Sequence, residues 1–177
     1  MEQEINAWKT NLTNGLILGS VGIVYTLIVY FLDLTFSTYQ GYIGMVIQLV
    51  VLFFLLKSYR DNFRHGQITY GQSVGAGVII YVYYAVIMAI FGYLLYTVID
   101  PGLMKKALAV AEAKMASKGL PQAQIDTAMT LTSKMMKPAF TAIFGLFGTM
   151  ISGTIISLIV SIFIKRETNP LIDTPQN

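Results

Sequence analysis

Residues 12–32, 39–56, 73–98 and 139–164 contain no Asp, Glu, Lys or Arg, and most of their side chains are apolar. A run of about 18 such residues is long enough to cross a hydrocarbon core of roughly 30 Å as a helix. No water is present in that core to bond backbone N–H and C=O groups, so a spanning segment must pair them internally, as a helix does. The four runs therefore predict an all-α integral membrane protein: a four-helix bundle forming a single domain. Composition agrees. Hydrophobic residues make up 55% of the chain and charged residues 12%, about half the charged share of an ordinary soluble domain.

The ends of the runs carry their own signals. Trp8 and Lys9 precede the first, which is longer than the roughly 7–15-residue core of a secretory signal. No small-x-small cleavage pattern stands before Asp33, so this run is expected to stay as span one. The link 33–38 is short, so span two returns antiparallel. Asp100-Pro101-Gly102 stops span three, whose length exceeds one crossing and predicts tilt or protrusion. Lys165-Arg166-Glu167 ends span four, and the tail after Asn169, with Pro170 and Pro175, is expected to be mobile.

Residues 102–137 differ in character. Met104, Leu108, Ala111 and Met115 fall on one helical face, and Ile125, Met129, Thr132 and Met136 on another. Lys118-Gly119-Leu120-Pro121 between them reads as a glycine-capped helix end followed by a proline restart. The expectation is an amphipathic helical hairpin outside the bilayer.

Orientation follows from Lys and Arg in short loops. The link 33–38 has none, whereas the segment after span two has Lys57, Arg60 and Arg64, and the flanks of the chain add Lys9, Lys165 and Arg166. Four spans put these on one side, which predicts both termini in the cytoplasm of a bacterium, with the protein in the inner membrane. The six lysines of the insert, on the opposite side, oppose this assignment by bare count.

Small residues recur on helix faces: Gly15, Gly19, Gly22 and Thr26 in span one; Gly71, Gly75, Ala85, Ala89 and Gly92 in span three; Gly145, Gly148 and Ser152 in span four. In lipid such seams let helices approach closely. Gly15, Gly19, Gly22, Gly75, Gly92, Gly145 and Gly148 are thus candidate packing residues, within the bundle or against a second copy or partner helix. Gln48 is the one strongly polar side chain deep in a span, and an interhelical hydrogen bond is its expected role. Tyr81, Tyr83 and Tyr84 lie near mid-membrane and call for hydroxyl partners. Arg60, Asp61 and Arg64 form a candidate cytoplasmic loop for lipid headgroups or a protein partner.

Several functions find no support in the residues. The formal charge of +3 is modest and no basic stripe interleaves with aromatics, so no nucleic-acid partner is implied. There is no cysteine, and His65 is the only histidine. The five methionines of the insert keep ordinary helical spacing, which suits apolar contact better than a soft-metal site. No metal, cofactor or catalytic set is expected, and the chain is read as a non-enzyme.

Ser58-Tyr59-Arg60-Asp61, then Gly66-Gln67-Ile68-Thr69-Tyr70-Gly71 and the closing Ile99-Asp100-Pro101, resemble the bacterial family named domain of unknown function 4199. The resemblance implies four spans with a charged helical segment before the last, over nearly the whole chain, and carries no activity. The residues are read as a scaffold or accessory subunit of a membrane complex, contacting lipid and other subunits or a second copy. The alternative is a small oligomeric transporter or channel.

Overall fold

The computed structural model describes residues 6–166, which leaves the tail from Asn169 outside the described residues. The elements are α1 (Ala7–Phe31), α2 (Gln40–Phe63), α3 (Tyr70–Leu94, continued by a π-helical turn over Leu95–Ile99), α4 (Leu103–Ser117), α5 (Gln122–Met135) and α6 (Pro138–Ile164). Four of them are long and apolar enough to cross a membrane: α1, α2, α3 with its π turn, and α6. No strand is present among the described residues, only one isolated antiparallel bridge between Ile68 and Arg166.

Each span outruns its apolar stretch, for local reasons. Asn6 caps α1, its Oδ1 accepting from the N–H groups of Trp8 (3.1 Å) and Lys9 (3.2 Å), so the helix begins before the charge-free run. Thr69 and Gln72 form a capping box that starts α3. Pro138 opens α6, where its missing N–H costs nothing. The largest departure from expectation is in α2, which runs through Lys57-Ser58-Tyr59-Arg60-Asp61 to Phe63. Arg60 and Asp61 are therefore helical, and only Arg64, at the C-cap, borders a loop. Charge marks where the bilayer ends, and a helix need not stop there.

Contacts fix the bundle's directions. Gly15, Gly19 and Gly22 of α1 lie against Tyr83, Ile87 and Tyr84 of α3, so α1 and α3 run parallel. Tyr81 lies against Gly153 and Gly77 against Ser157, so each turn down α3 is matched by one turn up α6. The Ile68–Arg166 bridge continues the same antiparallel register beyond the helices, with an N–H···O bond of 3.0 Å each way. α3 is the hub, packing most extensively on α6 and α1. One end of the bundle thus gathers Asn6, Arg60, Arg64, Thr69 and Arg166, and the other gathers Leu32, Tyr39, Asp100 and Pro138. These are called below the Arg60 end and the Asp100 end.

The core lies toward the Arg60 end, where Leu52, Leu56, Tyr59, Ile80, Tyr81 and Val160 are almost fully buried in one cluster. Buried polar residues sit there too. Asn11 is fully enclosed and bonds back along its own helix, donating to Ala7 O at 2.9 Å, while Asn14 Nδ2 donates to Asn11 Oδ1 at 3.1 Å.

Residues 102–137 hold two helices, α4 and α5, which touch each other. The turn between them passes through Gly119 at φ +75°, a left-handed conformation that glycine adopts without strain. Met104 and Ile125 are buried, and the other residues of both apolar stripes are partly covered, whereas the lysines are exposed.

Candidate functional site

Two regions bring hydrogen-bonding or charged groups together. At the Arg60 end, the guanidinium of Arg60 links two helices, α2 and α6. Its Nε donates to Asp61 Oδ1 at 2.7 Å, and its Nη1 donates to the Ile164 carbonyl at 3.2 Å. Ile164 is the last residue of α6, where unpaired carbonyls and the negative end of the helix dipole favour a cation. Arg60 therefore pins α2 to the end of α6, and its side chain is only 14% exposed. Asp61 points outward by comparison and lies within Coulombic reach of Lys57 and Arg166 as well as Arg60. Arg64 lies over the Tyr59 ring, 5.9 Å from its centre, with Nε buried and unpaired among the described residues. The chain turns beside it through His65 and Gly66, at φ +52° and +79°, with Gly66 N–H returning to Arg60 O at 3.0 Å. The expected contact loop is thus a helix end plus a tight turn, and Arg60 is spent mostly on holding α2 to α6.

The second region lies between α1, α2 and α3, nearer the Asp100 end. A cavity of about 150 Å³ opens there, walled by Gly22, Gly41 and Gly44 and by Tyr25, Thr26, Gln48 and Tyr84. Gln48 makes the interhelical bond expected of it, its Oε1 accepting from Tyr81 O–H at 3.4 Å. The Tyr25 hydroxyl donates to Gln40 O, and Thr26 Oγ1 donates to its own helix at Gly22 O (2.9 Å). A second cavity of about 160 Å³ separates α3 from α6 around Met88, Gly92, Tyr96, Thr141, Gly145 and Thr149. A shallow apolar groove of about 360 Å³ runs beside it along Ile90, Leu94, Ile143 and Leu146.

The tyrosines of α3 divide by reach. Tyr81 meets Gln48, while Tyr83 runs back to donate to Trp8 O at 3.2 Å and stacks edge-on against the Trp8 ring. From α1, Tyr30 donates to Asp100 Oδ2 at 3.3 Å, and Asp100 Oδ1 accepts from Gly102 N–H at 2.9 Å, tying the end of α3 to α1.

The glycines divide more sharply. A Cβ on Gly15 would overlap the Tyr83 side chain; on Gly19 it would stand 2.6 Å from Ile87 Cδ1, and on Gly22 2.7 Å from Tyr84 Cε2. Gly75, Gly92, Gly145 and Gly148 have no such contact within the chain: a Cβ at any of them would meet nothing within 4 Å. Gly92 and Gly145 border the second cavity, and Gly75 and Gly148 are exposed. The closest α3–α6 contacts instead use Gly77, Gly153 and Ser157. A Cβ on Gly153 would overlap the Tyr81 side chain at Cγ and Cδ1, and one on Gly77 would be 2.6 Å from Ser157 Oγ. Ser73–Gly77 and Gly153–Ser157–Ser161 repeat every four residues, a pattern that could have pointed to this seam.

No curated protein and no solved structure matches the chain. A family model described as "Protein of unknown function (DUF4199)" matches residues 13–166, which include all four apolar helices apart from the first turns of α1. The Tyr59–Asp61 and Gly66–Gly71 stretches that carried the resemblance lie inside that match, and the chain belongs to this family.

Proposed function

We propose that the protein is a non-enzymatic scaffold or accessory subunit of the bacterial inner membrane, with both termini in the cytoplasm and α6 presenting a face to another helix. The observation that supports this most is the stripe Gly145, Gly148 and Ser152. All three are exposed, and the fold brings nothing against either glycine. Small residues on a membrane helix favour close backbone contact, and here the protein's own helices make that contact elsewhere. The basic side chains at the Arg60 end suit anionic headgroups of the cytoplasmic leaflet. In the same reading α4 and α5 form a hairpin outside the opposite face of the bilayer, with their lysines in water or at headgroups. The transporter alternative draws on the two cavities, but the buried cluster from Leu52 to Val160 closes the bundle below them.

Extraction into native-lipid particles tests the assembly. The wild type is expected in a complex of defined stoichiometry, with itself or another membrane subunit. Gly148→Leu should dissolve that complex and leave the melting temperature of the isolated chain unchanged. A wild type that is monomeric in native lipid, or a complex indifferent to Gly148→Leu, contradicts the reading. Orientation is separable: because the chain has no cysteine, Ser37→Cys and Ser117→Cys should react with an impermeant thiol reagent in intact spheroplasts, and Ser58→Cys should not.

A further inference from the structure

The scaffold reading leaves the cavity between α1, α2 and α3 without a role, and its wall is unusual for a packing defect. Engineered voids of similar size, about 150 Å³, stay dry when lined by Leu, Ile and Phe, and accept one benzene-sized ring. This one carries uncharged hydrogen-bonding groups at the level of Gln48, near the middle of a span. Tyr25 and Thr26 are committed to backbone carbonyls. Gln48 accepts from Tyr81 through Oε1, which leaves its amide N–H₂ as donor. Tyr84 is 6% exposed and makes no hydrogen bond to a described residue. Its hydroxyl stands 3.1 Å from the place a Cβ on Gly22 would take, which sets it at the cavity wall. Both groups border the cavity instead of being sealed in protein, and a tyrosine hydroxyl in low-dielectric surroundings ordinarily has a partner.

Three properties of the site select its occupant. It offers two donors, Tyr84 O–H and Gln48 N–H₂, so the ligand accepts hydrogen bonds. No carboxylate, lysine, arginine or histidine lines it, so a charged ligand would be uncompensated in the bilayer. Tyr84 covers Gly22 and Tyr25 covers Gly44, whereas Gly41 is exposed with nothing within 4 Å of a Cβ there, so the cavity opens at the bundle surface beside Gly41 and can admit a flat ring from the lipid.

We propose that this cavity binds the ring of a neutral, membrane-soluble quinone, with Tyr84 O–H and the Gln48 amide donating to its carbonyl oxygens. The inference does not depend on the scaffold reading, whose assembly test involves Gly148 on α6, a helix that lends no residue to this cavity.

The test uses the full chain in lipid nanodiscs, titrated with a decyl-tailed benzoquinone and followed by melting temperature. The wild type should show a saturable rise. Tyr84→Phe and Gln48→Leu should each weaken the midpoint about tenfold, the loss of one buried hydrogen bond. Gly41→Leu should abolish the rise while keeping the ligand-free melting temperature, because a Cβ at Gly41 meets nothing within 4 Å and the longer side chain can enter the cavity. A decyl-cyclohexane, with the same tail and no carbonyl, should give no rise in any form. Three results overturn the proposal: no rise in the wild type at saturating quinone, which leaves the cavity to water; equal rises in wild type and Gly41→Leu, which means partitioning into lipid; or equal rises with quinone and cyclohexane. Should Tyr84→Phe or Gln48→Leu fail to fold, Gly41→Leu and the cyclohexane control still decide.

Discussion

The two halves of the bundle are built from similar residues and packed differently. Toward the Arg60 end, α3 and α6 interlock at Gly77, Ser157 and Gly153, with no room for one added carbon at either glycine. Toward the Asp100 end the same two helices leave a cavity at Gly92 and Gly145 and an apolar groove beside it. Glycine is present in both halves, so glycine content does not set the difference. What sets it is whether the partner helix places a side chain against the bare backbone. Tyr81 fills the space at Gly153; at Gly145 nothing does. Dense packing takes over the role that the hydrophobic effect plays in water, where lipid offers none. The looser half is correspondingly the part with space for a ligand or a second helix.

The largest expected effect tests the dense half. Gly153→Leu should prevent normal packing of α3 on α6, because its Cβ alone overlaps the Tyr81 ring, and overpacking of a filled core costs about 1–3 kcal/mol or more. Gly75→Leu, on the same hub helix, should stay within about 0.5 kcal/mol of wild type, as surface changes do. Unfolding in detergent measures both, and equal losses would erase the contrast. Gly19→Leu should fall between them, at about 1–2 kcal/mol, since Ile87 can turn away where the Tyr81 ring cannot.

Arg60→Ala sharpens the comparison at its boundary. Losing a charged donor to the Ile164 carbonyl should cost about 1–2 kcal/mol and speed hydrogen exchange over the last turn of α6. Exchange unchanged there would mean that the Ile68–Arg166 bridge alone holds that end. The smallest effect on the spans is expected from Met115→Asp with Met129→Asp. Helices of about 15 residues are marginal in water, so α4 and α5 depend on their apolar stripes. Exchange across residues 103–135 should rise while the four spans stay protected; slow exchange in both regions would show that the stripes do not hold this segment.

How far these features could be read from residues varies with the physics. The spans were legible because a charge-free run of bilayer length has few alternatives. The apolar stripes of α4 and α5 were legible from spacing, and burial follows those positions closely. Gly15, Gly19 and Gly22 announce a seam by recurring on one face. Gly77 and Gly153 signal theirs more faintly, through the four-residue spacing with Ser73, Ser157 and Ser161, and acquire their meaning from the partner helix. The same limit applies to Arg60 and Asp61. Their charges place them at an interface, but whether the helix continues through them depends on Tyr59 being buried and Arg60 reaching Ile164, residues far apart in the chain.

By itself, then, the sequence determined the four helices long and apolar enough to cross a membrane and the two amphipathic helices before the last of them, because hydrophobic length and helical period are properties of a segment alone. The tertiary structure decided which glycines are pressed against a neighbour, what Gln48 and the tyrosines meet, and where the bundle stays open. Those depend on the relative register of helices, and one turn of sliding changes every contact while leaving each helix's own sequence pattern intact.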